Sequence, residues 1–458
     1  MGEYDDEVAR YCVTVPERYN VVVDDLAWWA ADEPEALALV VVDEDGRECA
    51  RLTIGEVVAG STATARQLVA QGVGKGHLVA LGGPRDVTWT FMLLAAMRIG
   101  AVPVALPSAL SLDTAASLLG RLQPHVMLAN DRLASIVDSL QEDLPHRLLA
   151  LTDDERRADA RGWELVGPNA SESTNVPLPE DPTASDDPML VVTTRGTTGP
   201  RRLVLHRHSW PLGHAAAVRY WLDLRPGDIH LLLDSGAHWL SPATSLLGVW
   251  QQRAAVVQTT GPLSNPAATL ALIERHRVTS MCATPRVYWR LSQTAARVNL
   301  SRLRHCTAVG AQVDRTVAAA WRERSDGLTI HRGYGQAETS VIIGSFRSIA
   351  DRKDTIGKCM PGWQVEVVDD RGVVVPAGVN GRLVVRTDSG PPPGLFAGYM
   401  GDPLATSAAF AGGWYDTGDR ARIDSEGYVT LVGRGPRPNA AGDAFDSGLH
   451  ALLRPSTT

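Results

Sequence analysis

Apolar and polar positions alternate along the chain in blocks, and the blocks read as elements. Leu37 to Val42 is an apolar run and Glu48 to Leu52 a mixed one. Asp43-Glu44-Asp45-Gly46 lies between them, so the pair reads as a hairpin. Thr53 and Glu56 then form the T-x-x-E pattern of a capping box, opening a helix through Val57, Ala65 and Leu68 that stops near Gly72 and Gly74. Leu78 to Leu81 is a short apolar strand, Asp86 to Ile99 a helix closed by Gly100, and Val102 to Ala105 another strand. Strand, helix, strand at this spacing is a βαβ unit, which predicts a parallel sheet.

The alternation resumes after a loop-rich stretch from about Asp153 to Asp187. Ile229 to Leu233, Ala254 to Gln258, Val278 to Cys282 and His305 to Val309 read as buried strands, with helical stretches near Thr244, Leu270, Val287 and Val317 between them. Two such runs predict an α/β fold of two doubly wound subdomains packed together. Beyond Gly357 the pattern changes to short strands with Gly and Pro turns, at Gln364 to Val368, Gly381 to Val385 and Tyr428 to Val432. This predicts a small, distorted β-barrel. After Arg434 the periodicity is weak and Pro, Gly and Ala are frequent.

Composition narrows the function. At 458 residues, 44% hydrophobic and 21% charged, the chain is globular and long enough for two or three packed subdomains. A net charge of -8 gives no global attraction to nucleic acid or anionic membrane, so an anionic ligand needs a local positive site. The five cysteines, Cys12, Cys49, Cys282, Cys306 and Cys359, are scattered and form no CxxC pair. That argues against a zinc site or disulfide framework and for a reduced, cytoplasmic setting. The acidic N-terminus has no apolar signal-peptide core. The longest apolar stretch, Thr88 to Leu106, is broken by Arg98 and Pro103 and is not a membrane span. Only Lys75, Lys353 and Lys358 are lysines, so nearly all of the 44 basic residues are arginine.

The candidate chemistry sits in three segments. In Thr193-Thr194-Arg195-Gly196-Thr197-Thr198-Gly199-Pro200-Arg201-Arg202 the glycines let several N–H groups converge on one anion, the threonines add hydroxyl donors and the arginines add charge. That is a phosphate cradle, without the G-x-x-x-x-G-K-[ST] of a Walker A loop, running from strand to strand. In Gly333-Tyr334-Gly335-Gln336-Ala337-Glu338 a tyrosine bracketed by glycines can present a flat face to a base, and the carboxylate can hold Mg²⁺ near phosphates. In Trp414-Tyr415-Asp416-Thr417-Gly418-Asp419, followed by Gly433-Arg434, Asp419 can accept both hydroxyls of a ribose and Arg434 can donate to the sugar or a phosphate. Taken singly, the first is a solvent loop in an arginine-rich chain, the second a strand-end turn and the third a β-turn.

In this order, T-T-x-G-T-T-G, G-Y-G-Q-x-E, W-Y-x-T-G-D and G-R, the segments resemble the adenylate-forming (AMP-binding) superfamily, and most of all the medium-chain acyl-CoA synthetases. Arg219 to Asp228, Cys282 to Tyr288 and Leu303 to Cys306 support the resemblance, which covers about residues 17 to 434. It implies that a small-molecule carboxylic acid, a medium-chain fatty or aryl acid, attacks the α-phosphorus of ATP to give acyl-AMP and pyrophosphate, after which a thiol such as CoA takes the acyl group. Carried over, Thr193, Thr194, Gly196, Thr197, Thr198 and Gly199 would cradle the phosphates. Gly310 and Ala311 would lie beside adenine and the acyl chain, with Gly333, Tyr334, Gly335 and Gln336 at the base. Asp419 and Arg434 would hold the ribose, and Glu338 the Mg²⁺. Glu338, Thr194 and Arg195 would act on the reacting phosphate. The implied organisation is an AMP-binding domain over 1–434, with two α/β subdomains to about 350 and a β-rich one over about 355–433. Residues 435–458 are too few for a domain of at least roughly 50 residues. They are expected to be a vestigial tail in place of the family's C-terminal domain, which carries a catalytic lysine and completes the CoA tunnel.

Departures from the family's pattern keep alternatives open. Arg195 stands where the family has Ser, Arg201-Arg202 where it has Pro-Lys, Ala337 where it has Thr, and no lysine follows Lys358. The expected function is therefore ATP-dependent acid activation, with thioester formation impaired or dependent on a protein that supplies the missing domain's function. The alternatives are a non-catalytic nucleotide-binding scaffold, and a specialised ligase using another nucleophile.

Overall fold

A computed structural model describes residues 4–106, 111–130, 133, 136–140, 149–152, 154–166, 176–180, 183–194, 201–233, 243–352 and 354–434. Three sheets carry the fold. The first has nine strands in the order Lys358–Cys359, Ser340–Gly344, Ile330–Gln336, His305–Ala308, Ser280–Ala283, Ile229–Leu233, Ala255–Thr259, Leu37–Val42 and Glu48–Thr53. Its six central strands are parallel, and the outer ones pair antiparallel. The second has eight, in the order Gly398–Tyr399, Leu203–Arg207, Pro188–Thr193, Val102–Ala105, Leu78–Leu81, Val126–Leu128, Leu149–Thr152 and Glu164–Leu165. It too is parallel except at the Pro188–Thr193 and Gly398–Tyr399 pairings with Leu203–Arg207.

Both large sheets are covered on two faces, and the two-residue period shows it. Leu39 and Val41 join the core that spans the two sheets, while Val40 and Val42 join a separate one on the far face. Val79 and Leu81 likewise face the shared core, and Leu78 and Ala80 a third cluster. Strands buried on both faces read as continuous apolar runs, as these do. Helices Ile54–Ala70, Val87–Arg98 and Trp210–Ala216 contribute to the shared core. The first of these begins at the expected capping box: the Glu56 amide donates to Thr53 Oγ1 at 3.2 Å and the Thr53 amide to Glu56 Oε2 at 2.8 Å. Asp86 caps the second through the Trp89 amide at 2.9 Å.

The structure differs from the sequence reading in three places. The Leu37–Thr53 hairpin belongs to the nine-stranded sheet with the later run, because Leu39 registers with Val256 rather than with the βαβ unit that follows it. The stretch read as loop-rich contains helix Glu155–Arg161 and strand Glu164–Leu165, and strands Val126–Leu128 and Leu149–Thr152 precede it. The β-rich segment expected as a barrel is a four-stranded antiparallel sheet, Val365–Val368, Gly381–Arg386, Trp414–Ile423 and Val429–Arg434. Among the described residues its two edge strands do not pair with each other.

Candidate functional site

The phosphate segment leaves one strand and returns in its antiparallel neighbour, as its apolar flanks predict. Thr193 registers with Leu203. Thr194 closes the mouth of this hairpin: its amide donates to the Arg202 carbonyl at 3.0 Å, its hydroxyl accepts from the Arg202 amide at 3.2 Å, and its carbonyl accepts from Arg201 Nη1 at 3.1 Å. Thr193 is buried, and its Oγ1 has no hydrogen-bond partner among the described residues. Arg195, Gly196, Thr197, Thr198 and Gly199 lie outside the described residues.

Gly333 to Gln336 form part of a strand, Ile330–Gln336, where a strand-end turn was the simplest reading. The two glycines are required by packing. A Cβ on Gly333 would enter the Trp221 indole, and one on Gly335 would collide with the Ser340 carbonyl. Tyr334 between them is 9% exposed. Gly310 and Ala311 emerge at the carboxyl end of the neighbouring parallel strand, just past the Ala308–Arg332 pair, and Gly310 takes a left-handed φ of 86°. In open α/β sheets this edge is where ligands bind.

The T-G-D segment lies inside the long strand Trp414–Ile423, where a turn was the simplest reading. Thr417 is fully buried and donates to the Leu383 carbonyl at 2.7 Å, and Gly418 takes φ 75°. Asp419 is thereby brought to Tyr334. The Tyr334 hydroxyl donates to Asp419 Oδ2 at 2.7 Å and Gln336 Nε2 donates to the same oxygen at 2.9 Å. Arg434 Nε stands 3.5 Å from Oδ1. The Tyr415 hydroxyl donates to Gln336 Oε1 at 2.9 Å, fixing the amide so that its nitrogen faces the carboxylate. Three residues, Tyr334 and Gln336 from one strand and Arg434 from another, therefore meet on one carboxylate.

Glu338 is 3% exposed and accepts from the Tyr399 hydroxyl at 2.7 Å. Its carbonyl accepts from the Phe396 amide at 2.9 Å. The Arg202 guanidinium lies 4.8 Å from the Tyr399 ring centroid, so the phosphate hairpin reaches the Glu338 region through Tyr399. The Phe396 ring lies 4.9 Å from Tyr399 and 5.3 Å from Tyr415, linking the partners of both carboxylates in one aromatic cluster. The sequence reading assigned no role to Phe396, Tyr399 or Tyr415. Tyr415 was within reach as a member of the quoted motif; Phe396 and Tyr399 stand in a Gly- and Pro-rich connection that carries no periodic signal.

Beneath this site lie buried histidines. Burial pushes the imidazole of His206 well below its ordinary value and that of His214 down to about 3. His206 stacks on Trp210 at 3.9 Å, and His214 shares a hydrogen bond with the Gly394 carbonyl at 3.1 Å. All five cysteines are free. Among the described residues no helix is long and apolar enough to cross a membrane.

The AMP-binding enzyme family matches residues 26–400. The "Acyl-coenzyme A synthetase ACSM3, mitochondrial" of Pongo abelii is 30% identical over 449 residues, covering 95% of this chain and 75% of that protein. An acyl-CoA synthetase from Brucella canis superposes with a TM-score of 0.79 at 22% identity, over 95% of this chain and 80% of that one. ATP-bound MatB from Rhodopseudomonas palustris does so with a TM-score of 0.75 at 23% identity, over 91% and 79%.

Proposed function

The chain belongs to the AMP-binding enzyme family, and from that premise we propose that it activates a small carboxylic acid with ATP as an acyl-adenylate, in the manner of an acyl-CoA synthetase. The observation that carries this reading is the convergence of Tyr334, Gln336 and Arg434 on Asp419, with Glu338 tied to the phosphate hairpin. Asp419 would accept the ribose hydroxyls, with Arg434 beside it. Tyr334 would offer adenine the accessible part of its ring, its hydroxyl being committed to Asp419. Gly310 and Ala311 would border adenine and the acyl chain. Thr193, whose buried hydroxyl has no hydrogen-bond partner among the described residues, and Thr194 would line the phosphate cradle, joined by Gly196, Thr197, Thr198 and Gly199.

Glu338 suits Mg²⁺, a hard ion that takes one or two carboxylates together with substrate phosphates. When bound, the ion neutralises charge on the triphosphate. The chain's own residues do the rest by holding ATP so that the acid oxygen approaches the α-phosphorus while pyrophosphate departs. Arg195 would add positive charge within the loop, a guanidinium being permanently protonated and well matched to phosphate oxygens.

The domain limits at about 350 and 434, the medium-chain fatty or aryl acid, the use of CoA and the reduced cytoplasmic setting belong to this same proposal. So does an impaired or partner-dependent thioester step, supported by Ala337, Arg195 and Arg202 standing where the family has other residues. Those departures also favour a second reading, a nucleotide-binding scaffold without turnover. Pyrophosphate exchange with a panel of aliphatic and aryl acids decides between them, with Arg195→Ser run alongside. Acid-dependent exchange that Arg195→Ser lowers is expected. ATP binding with no exchange for any acid selects the scaffold, and exchange that rises in Arg195→Ser removes the role given to Arg195.

A further inference from the structure

Glu338 is a nearly inaccessible carboxylate, and a charge in that position is stable only if its oxygens are met by donors. Tyr399 meets one of them at 2.7 Å. Tyr399 is itself held at three points. It registers with Val204, so its short strand extends the edge of the eight-stranded sheet. Its amide donates to Thr406 Oγ1 at 2.9 Å, and that hydroxyl donates to the Asp402 carbonyl at the cap of helix Pro403–Ala409. Its ring carries the Arg202 guanidinium at 4.8 Å. The phenol is thus fixed in position and rotation before any ligand arrives. A cation over the ring face also draws density from the ring and makes the phenolic O–H a stronger donor.

We propose that Tyr399 is the positioning residue for Glu338, presenting its carboxylate to a divalent cation, and that Arg202 at the end of the phosphate hairpin sets the Tyr399 ring. The proposal rests on the reading of Glu338 as the magnesium ligand. Groups that orient a metal-bound side chain through its second oxygen typically change metal affinity about 10–100-fold when removed. Through Arg202, the hairpin that would receive the phosphates and the carboxylate that would receive their cation are fixed by the same side chain. An Arg at position 202 does this with a flat guanidinium; an ammonium is a compact point charge without that plane.

The experiment is calorimetric titration of ATP into the full chain, with excess magnesium and with EDTA, for wild type, Glu338→Gln, Tyr399→Phe and Arg202→Met, each checked for thermal unfolding. Wild type is expected to bind ATP more tightly with magnesium, and Glu338→Gln to lose that gain. Tyr399→Phe keeps the ring and the stacked cation but removes the donor. It is expected to cut the gain about tenfold while leaving affinity in EDTA unchanged. Arg202→Met is expected to cut it by less. A full gain in Tyr399→Phe, with the gain lost in Glu338→Gln, overturns the positioning role and leaves the proposed function standing. A full gain in Glu338→Gln, or no binding by wild type, overturns the underlying reading instead. Should Tyr399→Phe fail to fold, Arg202→Met carries the test. A gain equal to wild type overturns the proposal, as does a loss equal in magnesium and EDTA, which would put Arg202 on the phosphates directly.

Discussion

A carboxylate that already accepts from a phenol and an amide has little freedom to move, and that is the condition of Asp419. Its orientation is set by Tyr334 and Gln336 before a ribose arrives, so the interaction costs little ordering entropy. Asp419→Ala should therefore remove most ATP and AMP affinity, by roughly 2–3 kcal/mol, since it deletes charge-assisted bonds and strands the Tyr334 and Gln336 donors. Calorimetry with MgATP checks this, and equal affinity in the two proteins would remove Asp419 from the site. At this scale the sequence was half legible. Asp419 and Glu338 stand out as carboxylates in ordered motifs. The reason for the glycines around Tyr334 does not, because it lies in the Trp221 ring and the Ser340 carbonyl. Contacts made by atoms that a residue lacks leave no local pattern.

At the scale of elements, the site depends on a helix that carries none of the proposed ligand residues. Helix Trp210–Ala216 lies against the connection that carries Phe396 and Tyr399, and Gly213 is the point of closest approach. A Cβ there would collide with the Gly394 backbone, which has no rotamer to change. Gly213→Ala should destabilise the fold by about 1–3 kcal/mol and displace the connection that holds Glu338. A lowered melting temperature together with reduced pyrophosphate exchange is the expected result; an unchanged melting temperature contradicts the packing argument. Elements of this kind were legible where they are long. The Ile54–Ala70 and Val87–Arg98 helices announce themselves through caps and apolar content. Val126–Leu128, Glu164–Leu165 and Gly398–Tyr399 are two or three residues each, too short to display a period of two, and they form only because an existing sheet edge accepts them.

For the whole molecule, the buried histidines dominate the response to acid. Burial pushes His208 and His230 down to about 4 and His214 to about 3, with His206 and His305 well below their ordinary value. In the unfolded chain these rings titrate near 6.5. Below that pH the unfolded state binds protons that the folded state refuses. The stability is thus fully present above about 6.5 and is lost as pH falls toward 4 and 3. The slope approaches about 1.4 kcal/mol per pH unit for each such histidine. Asp25, raised by burial, acts in the opposite sense at the acid end. Melting temperatures should change little from pH 8 to about 6.5 and fall from there to pH 5, with proton uptake on unfolding below about 6.5; a flat profile down to pH 5 would falsify the neutral buried assignment. The two-sheet architecture was legible from the alternation of runs, but the membership of each sheet was not, because register between distant strands is decided by packing and not by neighbours in sequence.

That membership bears on how the molecule comes into being. Leu37–Val42 finds its parallel neighbour in Ala255–Thr259, and Trp250 Nε1 reaches the Ala38 carbonyl from 212 residues away. A ribosome adding about 5–20 residues per second leaves the early apolar hairpin without that neighbour for tens of seconds. Through that interval its Leu-Ala-Leu-Val-Val-Val edge is an open template for other nascent chains. Only when the later strand emerges does the edge close.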